Sequence, residues 1–131
     1  MIHFEDEDDE QFYMVRPGLH KFLMEMSKYY ELVVFTAALS EYADWILDQV
    51  DTKKLIKHRL YRQHCNHQET YAIKDLNNLG RDLSKTIIVD NIGLNFESTT
   101  PENGIQIESW YNDMEDKELE KIGLFLTEMA L

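Results

Sequence analysis

Two short runs constrain this chain more than anything else in it: Leu32-Val33-Val34-Phe35, and Lys85-Thr86-Ile87-Ile88-Val89 with its unbroken apolar end. Both are rich in β-branched or aromatic residues and too short for a helix. Each reads as a strand buried on both faces, the condition of strands in a parallel sheet covered by helices. Helical spacing surrounds them. Leu19, Phe22, Leu23, Met26 and Tyr30 follow spacings of three and four, an amphipathic helix feeding the first strand. Ser40 can cap a second helix, with Tyr42, Trp45, Ile46 and Val50 as its inward stripe, and a last helix over 116–129 turns Leu119, Ile122, Leu126 and Met129 inward. Between them the sequence predicts strands over 59–62, 71–73 and 104–107, with a turn or short helix over 75–82. Upstream, Phe12-Tyr13-Met14-Val15 has strand propensity and meets Arg16-Pro17-Gly18, where proline stops a strand and can open a helix. Strand and helix alternate, so the expected class is an α/β fold with a parallel sheet flanked by helices.

At 131 residues the chain is one domain's worth and can bury one core. Its most biased stretch is Glu5-Asp6-Glu7-Asp8-Asp9-Glu10, six consecutive carboxylates that repel one another and stay wet. Residues 1–11 are therefore expected to form an acidic segment and hairpin tip, and residues 12–131 the folded domain. Against 25 Asp plus Glu stand 13 Lys plus Arg, and the net charge of −12 repels phosphate backbones and anionic lipid alike. Neither nucleic acid nor a membrane surface is an expected partner. No apolar run approaches the about 20 residues that span a bilayer, and Met1-Ile2-His3-Phe4 runs into acids rather than forming a basic-then-apolar leader. The single Cys65 cannot form an internal disulfide, which fits a reducing compartment. The expectation is an intracellular protein, with cytoplasm, nucleus and mitochondrion all open.

In open α/β sheets, ligands sit at the carboxyl ends of the strands. Thr36, Lys74 and the pair Asp90-Asn91 each follow an expected strand. A hydroxyl and an ammonium gathered there can bind phosphoryl oxygens, and a carboxylate can hold a magnesium ion. The blander account, that strand ends commonly finish in polar residues, fits the spacing equally well. His58, His64, Cys65 and His67 suggest zinc, but one thiol is short of the Cys pairs that structural zinc sites present. Trp45 and Trp110 are expected in the core rather than as binding anchors. Arg62 and Arg81 can clamp a phosphate or an acidic peptide, or simply balance nearby carboxylates.

The order and wording of these segments resemble a known family. The matching motifs are Arg16-Pro17-Gly18 with Phe22-Leu23, Val34-Phe35-Thr36-Ala37 with Tyr42-Ala43-Asp44, and Leu60-Tyr61-Arg62 with Cys65. Lys74-Asp75-Leu76, Leu79-Gly80-Arg81-Asp82-Leu83, Ile88-Val89-Asp90-Asn91, and Asn103-Gly104-Ile105 through Ser109-Trp110 continue the series. Together they look like the FCP/SCP-type phosphatase domain, the branch of the haloacid dehalogenase superfamily that contains the phosphatases of the RNA polymerase II C-terminal tail. The resemblance implies that Thr36 and Lys74 bind the transferring phosphoryl group, that Asp90 is a magnesium ligand and that Asn91 orients the metal's shell.

The family's first motif, Asp-x-Asp-x-Thr or Val at the end of an apolar strand, supplies the phosphate-accepting nucleophile and the general acid. It is not found in these residues. Asp6-Glu7-Asp8-Asp9-Glu10 fits it only superficially, with seven residues between Asp8 and Arg16 where the family places several tens. Ile92-Gly93 stands where active members carry Ser-Pro, which is expected to loosen the loop. The resemblance thus implies a haloacid dehalogenase-like sheet lacking its first central strand. The expected protein is a catalytically inactive phosphatase-like domain that serves as an interaction module or subunit. The alternative is a fragment or split part of an active magnesium-dependent protein serine/threonine phosphatase. No cofactor is expected, magnesium joining only if the missing motif is supplied, and a protein partner or second copy is expected to cover the vacant strand position.

Overall fold

A computed structural model of the chain describes residues 2–7 and 10–131, with side chains from Tyr13 onward. It divides into two compact units. The first comprises the chain up to Val34 with Asp44–His58 and Ser109–Leu131, and the second comprises Phe35–Ala43 and Arg59–Glu108. No helix among the described residues is long and apolar enough to cross a membrane.

The first unit opens with an antiparallel hairpin of β1 (Ile2–Glu7) and β2 (Glu10–Val15), in register from Ile2 opposite Val15 to Glu7 opposite Glu10. Glu5, Asp6 and Glu7 therefore belong to a strand, while the expected tip at residues 8 and 9 lies outside the described residues. Gly18, at φ +86°, turns the chain into α1 (Leu19–Met26), a left-handed conformation that suits glycine. Helix α1 packs on α4 (Glu118–Ala130), burying Leu19, Met26, Leu119 and Leu126, and the Tyr30 hydroxyl donates to Leu126 O at 2.6 Å. Met129, expected inward, is exposed.

Helix α2 (Ser40–Val50) also presents a different face from the one expected. Ala43, Ile46, Leu47 and Val50 are buried, whereas Tyr42 and Trp45 are exposed. Trp45 meets Tyr13 edge-to-face with ring centroids 5.7 Å apart. Trp110 is buried as expected, and its indole N–H donates to Asp113 O. After α2, both carboxylate oxygens of buried Asp51 accept backbone N–H bonds, from Leu55 and Ile56, at 2.9 Å each. That turn launches β4 (Ile56–Leu60), which pairs with β3 (Leu32–Phe35). The strand expected over 59–62 thus begins earlier, and Arg62–His64 form a 3-10 turn. Val33 is exposed, so β3 is not covered on both faces.

A buried ion pair ties the end of β2 to the approach of α4. Arg16 donates from Nε to Asp116 Oδ2 at 2.7 Å and from Nη2 to Oδ1 at 3.0 Å, its side chain 1% exposed. The two-point match of guanidinium and carboxylate fixes orientation as well as charge.

In the second unit β7 (Ile88–Asp90) and β8 (Gly104–Gln106) pair in parallel, Ile88 opposite Gly104. The short strands β5 (Asn66–His67) and β6 (Ala72–Ile73) pair antiparallel, and α3 (Leu94–Glu97) packs on β6. Leu76, Ile88 and Phe96 form the core, flanked by Leu79 and Leu83. Gly104 lies against the ring of Phe96, where a Cβ would overlap it. The Asn103 amide pins the loop before β7 by donating to Leu83 O and Thr86 O. The described strands therefore pair two by two, with β7 and β8 the parallel pair that the sequence led one to expect.

Two substitutions test this packing. Asp116→Ala removes the two-point carboxylate partner of a buried guanidinium and should cost about 1–3 kcal/mol in a denaturant titration. The hydrogen bond from Arg16 holds the Asp116 carboxyl below the usual aspartate range. Its contribution should therefore be complete above the ordinary aspartate pKa and fade as pH falls through the lowered folded value, so acid unfolding of Asp116→Ala should be less steep in that range. Gly104→Ala forces the Phe96 ring to move and should cost about 1–3 kcal/mol by the same titration.

Candidate functional site

The second unit brings three of the expected residues to strand ends within one compact region. Thr36 follows β3, and its N–H donates to Leu60 O at 2.9 Å. Its hydroxyl oxygen accepts the Ala38 N–H at 3.1 Å, which orients Oγ1 and leaves the hydroxyl proton available for donation. Lys74 follows β6, with its N–H on Asn95 O at 2.8 Å. Its ammonium lies 2.8 Å from Asp90 Oδ2, the two side chains being 11% and 4% exposed.

Asp90, which closes β7, is held from three sides. Its Oδ1 accepts the Ile92 N–H at 3.1 Å, and its Oδ2 accepts Asn95 Nδ2 at 3.1 Å beside the Lys74 ammonium. Asn95 is the residue that the sequence did not flag. Buried on α3, it binds Asp90 through its amide nitrogen and the Ala72 N–H through Oδ1 at 3.2 Å, while its own carbonyl takes Lys74 N–H. One side chain thus joins the ends of β6 and β7. A polar residue between Leu94 and Phe96 carries no periodic signal; the clue was its position five residues after Asp90.

Asn91 is exposed in the turn after β7, and its carbonyl oxygen accepts Gln106 Nε2 at 3.4 Å. Gly93 adopts φ −59°, ψ −35°, ordinary helical backbone that proline also takes. The loosening expected of Ile92-Gly93 is therefore not drawn upon at that residue.

Cys65 lies half-buried beside this network, with Sγ 3.6 Å from Thr36 O and 3.7 Å from Tyr61 O. Burial pushes its pKa up, opposed by the charges of Lys74 and Arg62 and reinforced by Asp90. Arg62 is exposed, with Nε donating to Ala37 O at 2.8 Å. The neighbouring imidazoles are turned to the backbone. His64 Nδ1 accepts the Tyr61 N–H, and His67 Nε2 sits 3.1 Å from Arg62 O.

A hydroxyl with a free proton and a buried ammonium are the donors that phosphoryl oxygens require. Magnesium fits these residues poorly by themselves. That ion wants about six oxygens in octahedral order, whereas both oxygens of Asp90 already accept bonds. Among the described residues no group of three or more His, Cys, Asp or Glu is placed to hold a metal. Asn95→Ala, by stranding the Ala72 N–H and removing one of the donors to Asp90 Oδ2, should destabilise the second unit by about 2–4 kcal/mol. Hydrogen exchange should then rise first at Ala72, whose N–H the Asn95 side chain holds, with Lys74, held by the backbone carbonyl, following less.

Comparison with known proteins bears on this arrangement. Residues 1–131 match the family described as NLI interacting factor-like phosphatase. The chain is 46% identical over 110 residues to a probable C-terminal domain small phosphatase of Dictyostelium discoideum, covering 83% of this chain and 36% of that protein. It is 38% identical over 118 residues to human carboxy-terminal domain RNA polymerase II polypeptide A small phosphatase 2, covering 90% of this chain and 43% of that one. The chain therefore spans less than half the length of these relatives. Its fold is similar to that of the fission yeast RNA polymerase II CTD phosphatase Fcp1 bound to beryllium fluoride. That likeness has a TM-score of 0.63 at 21% identity, covering 98% of this chain and 40% of Fcp1. With a match along its whole length, the chain belongs to the NLI interacting factor-like phosphatase family, of haloacid dehalogenase-like α/β fold.

Proposed function

We propose that these 131 residues form the phosphoryl-binding part of a phosphoprotein phosphatase-type site and, by themselves, bind phosphorylated protein without turning it over. The buried Lys74–Asp90–Asn95 network carries this reading, because it holds an ammonium at the end of β6 in the same unit in which Thr36, at the end of β3, keeps a hydroxyl proton to donate, with Cys65 close to both. In this reading Thr36 and Lys74 bind the phosphoryl oxygens. Asp90 is the metal-side carboxylate, and Asn91 supports the metal's shell.

The step these residues do not provide is acceptance of the phosphoryl group. No Asp-x-Asp-x-Thr or Val occurs in the 131 residues, and losing a covalent nucleophile costs on the order of 10⁴-fold or more in rate. When bound, magnesium neutralises charge on a phosphoryl group. Asp90 alone supplies too few oxygens for it, so the metal joins only with carboxylates from elsewhere. The domain then acts as an interaction module or as one subunit of a larger assembly.

A second reading is favoured by the pairing of the strands. Among the described residues, β7 has a neighbour in β8 alone. A strand bearing the missing aspartates, from a partner chain or a further segment, would add to its other edge and complete an active phosphatase. Its identity as a CTD-type serine/threonine phosphatase would follow the names of the relatives.

Calorimetric titration of the purified chain with a phosphoserine peptide tests the main reading. The peptide should bind at least about tenfold tighter than its unphosphorylated form, and both Thr36→Val and Lys74→Met should remove that difference. An aryl phosphate with magnesium should not turn over. Turnover abolished by Asp90→Asn would overturn the non-catalytic reading, and equal affinity for the two peptides would overturn the phosphoryl site itself. Turnover appearing only on addition of an Asp-x-Asp-x-Thr strand peptide would establish the second reading.

A further inference from the structure

From Lys53 to Gln68 the chain carries five Lys or Arg, three His and no Asp or Glu, while the remaining eight Lys and Arg share the rest of the chain with all 25 acids. The part of this segment that lies in the second unit, from Arg59 on, runs alongside the Thr36 turn. Thr36 N donates to Leu60 O at 2.9 Å, Arg62 N to Ala38 O at 3.1 Å, and Arg62 Nε to Ala37 O at 2.8 Å. Residues 60–62 are thereby laced to residues 36–38.

Arg62 is exposed, and among the described residues no carboxylate pairs with it. In so acidic a chain that is unusual company for an arginine to lack. With Nε committed to a carbonyl, the guanidinium is fixed in place while Nη1 and Nη2 keep their donors, a planar fork suited to a carboxylate or phosphate. The charges of Arg62, Lys74 and Asp90 all act on the same Cys65 thiol, so the guanidinium belongs to the electrostatic neighbourhood of the site. His64 and His67 are occupied with the backbone of the turn and serve to hold Arg62 rather than to replace it.

We propose that Arg62 is a specificity-determining residue that takes a second anionic group, carboxylate or phosphate, adjoining the phosphorylated residue of a protein ligand. The proposal rests on the phosphoryl-binding reading of Thr36 and Lys74. It names the class of ligand, since a phosphopeptide with neutral flanks leaves the Arg62 fork without an acceptor.

The test uses three fluorescent peptides of one sequence: phosphoserine with neutral flanks, with acidic flanks, and with a second phosphoserine beside the first. Each is titrated against the full chain, Arg62→Gln and Lys74→Met, with thermal melting to verify folding. Peptides with the added charge should bind about tenfold tighter than the neutral one. Arg62→Gln should erase that advantage while leaving the neutral peptide's affinity unchanged. A gain confined to the doubly phosphorylated peptide supports the proposal with phosphate as the source, and a gain in both supports it with either group.

An advantage that persists in Arg62→Gln, or no advantage in the unmodified chain, overturns it. Should the glutamine variant fail to fold, Arg62→Lys keeps the charge without the fork and should retain only a minor part of the advantage. Full retention there overturns the proposal equally. Failure of the underlying reading looks different: no peptide binds, or Lys74→Met changes nothing.

Discussion

The arrangement at the ends of β6 and β7 depends on the carboxylate of Asp90 being buried and still fully satisfied. A charge at 4% side-chain exposure would be intolerable alone. Here the Lys74 ammonium, the Asn95 amide and the Ile92 N–H share the two oxygens. Because Asn95 also holds Ala72 N–H and Lys74 N–H, the network fixes the ends of β6 and β7 relative to α3. A buried pair of this sort roughly breaks even against an apolar replacement in stability. What it provides is position: an ammonium that lysine's four-carbon stem would otherwise let wander is held at a strand end.

The ion pair in the other unit follows the same electrostatics to a different end. Arg16 and Asp116 satisfy each other in a two-point bond, and Asp116 also receives the Glu118 N–H at the start of α4. Their charges are spent on closing β2 against the beginning of the last helix. Lys74 differs in that a hydroxyl with a free proton belongs to its own unit. One pair is a brace, whereas the other is a brace with a ligand-facing neighbour.

Much of this was legible in the sequence because it rests on period and order. The alternation of elements, the parallel β7–β8 pair, the first and last helices and the family itself can all be read from residue types. Position within a period was harder. In α2, Tyr42 and Trp45 outweigh Ala43 in any hydrophobic count, yet the buried face is Ala43, Ile46, Leu47 and Val50. Small alanine permits close approach, and the large aromatics sit at the margin, where Trp45 finds Tyr13. Likewise a continuous apolar run such as Leu32–Phe35 cannot say which side is covered, and Val33 is not. Asn95 escaped because a buried hydrogen-bond hub is defined by partners distant in sequence, which no window of residues contains.

The distribution of charge makes the remaining step intelligible. A net charge of −12 repels any anionic ligand at long range, but at physiological salt such fields are screened over about 8 Å. Whether an anion is held is then decided by the charges nearest to it. The chain supplies there a lysine whose charge is half-committed to Asp90, and beside the Thr36 turn an arginine committed only to a carbonyl. The lysine's pairing limits how strongly it alone attracts a dianion, since the carboxylate beside it repels what the ammonium draws in. An additional cation without a carboxylate of its own, Arg62 in the acid-free segment from Lys53 to Gln68, is suited to a second anionic group beside the first.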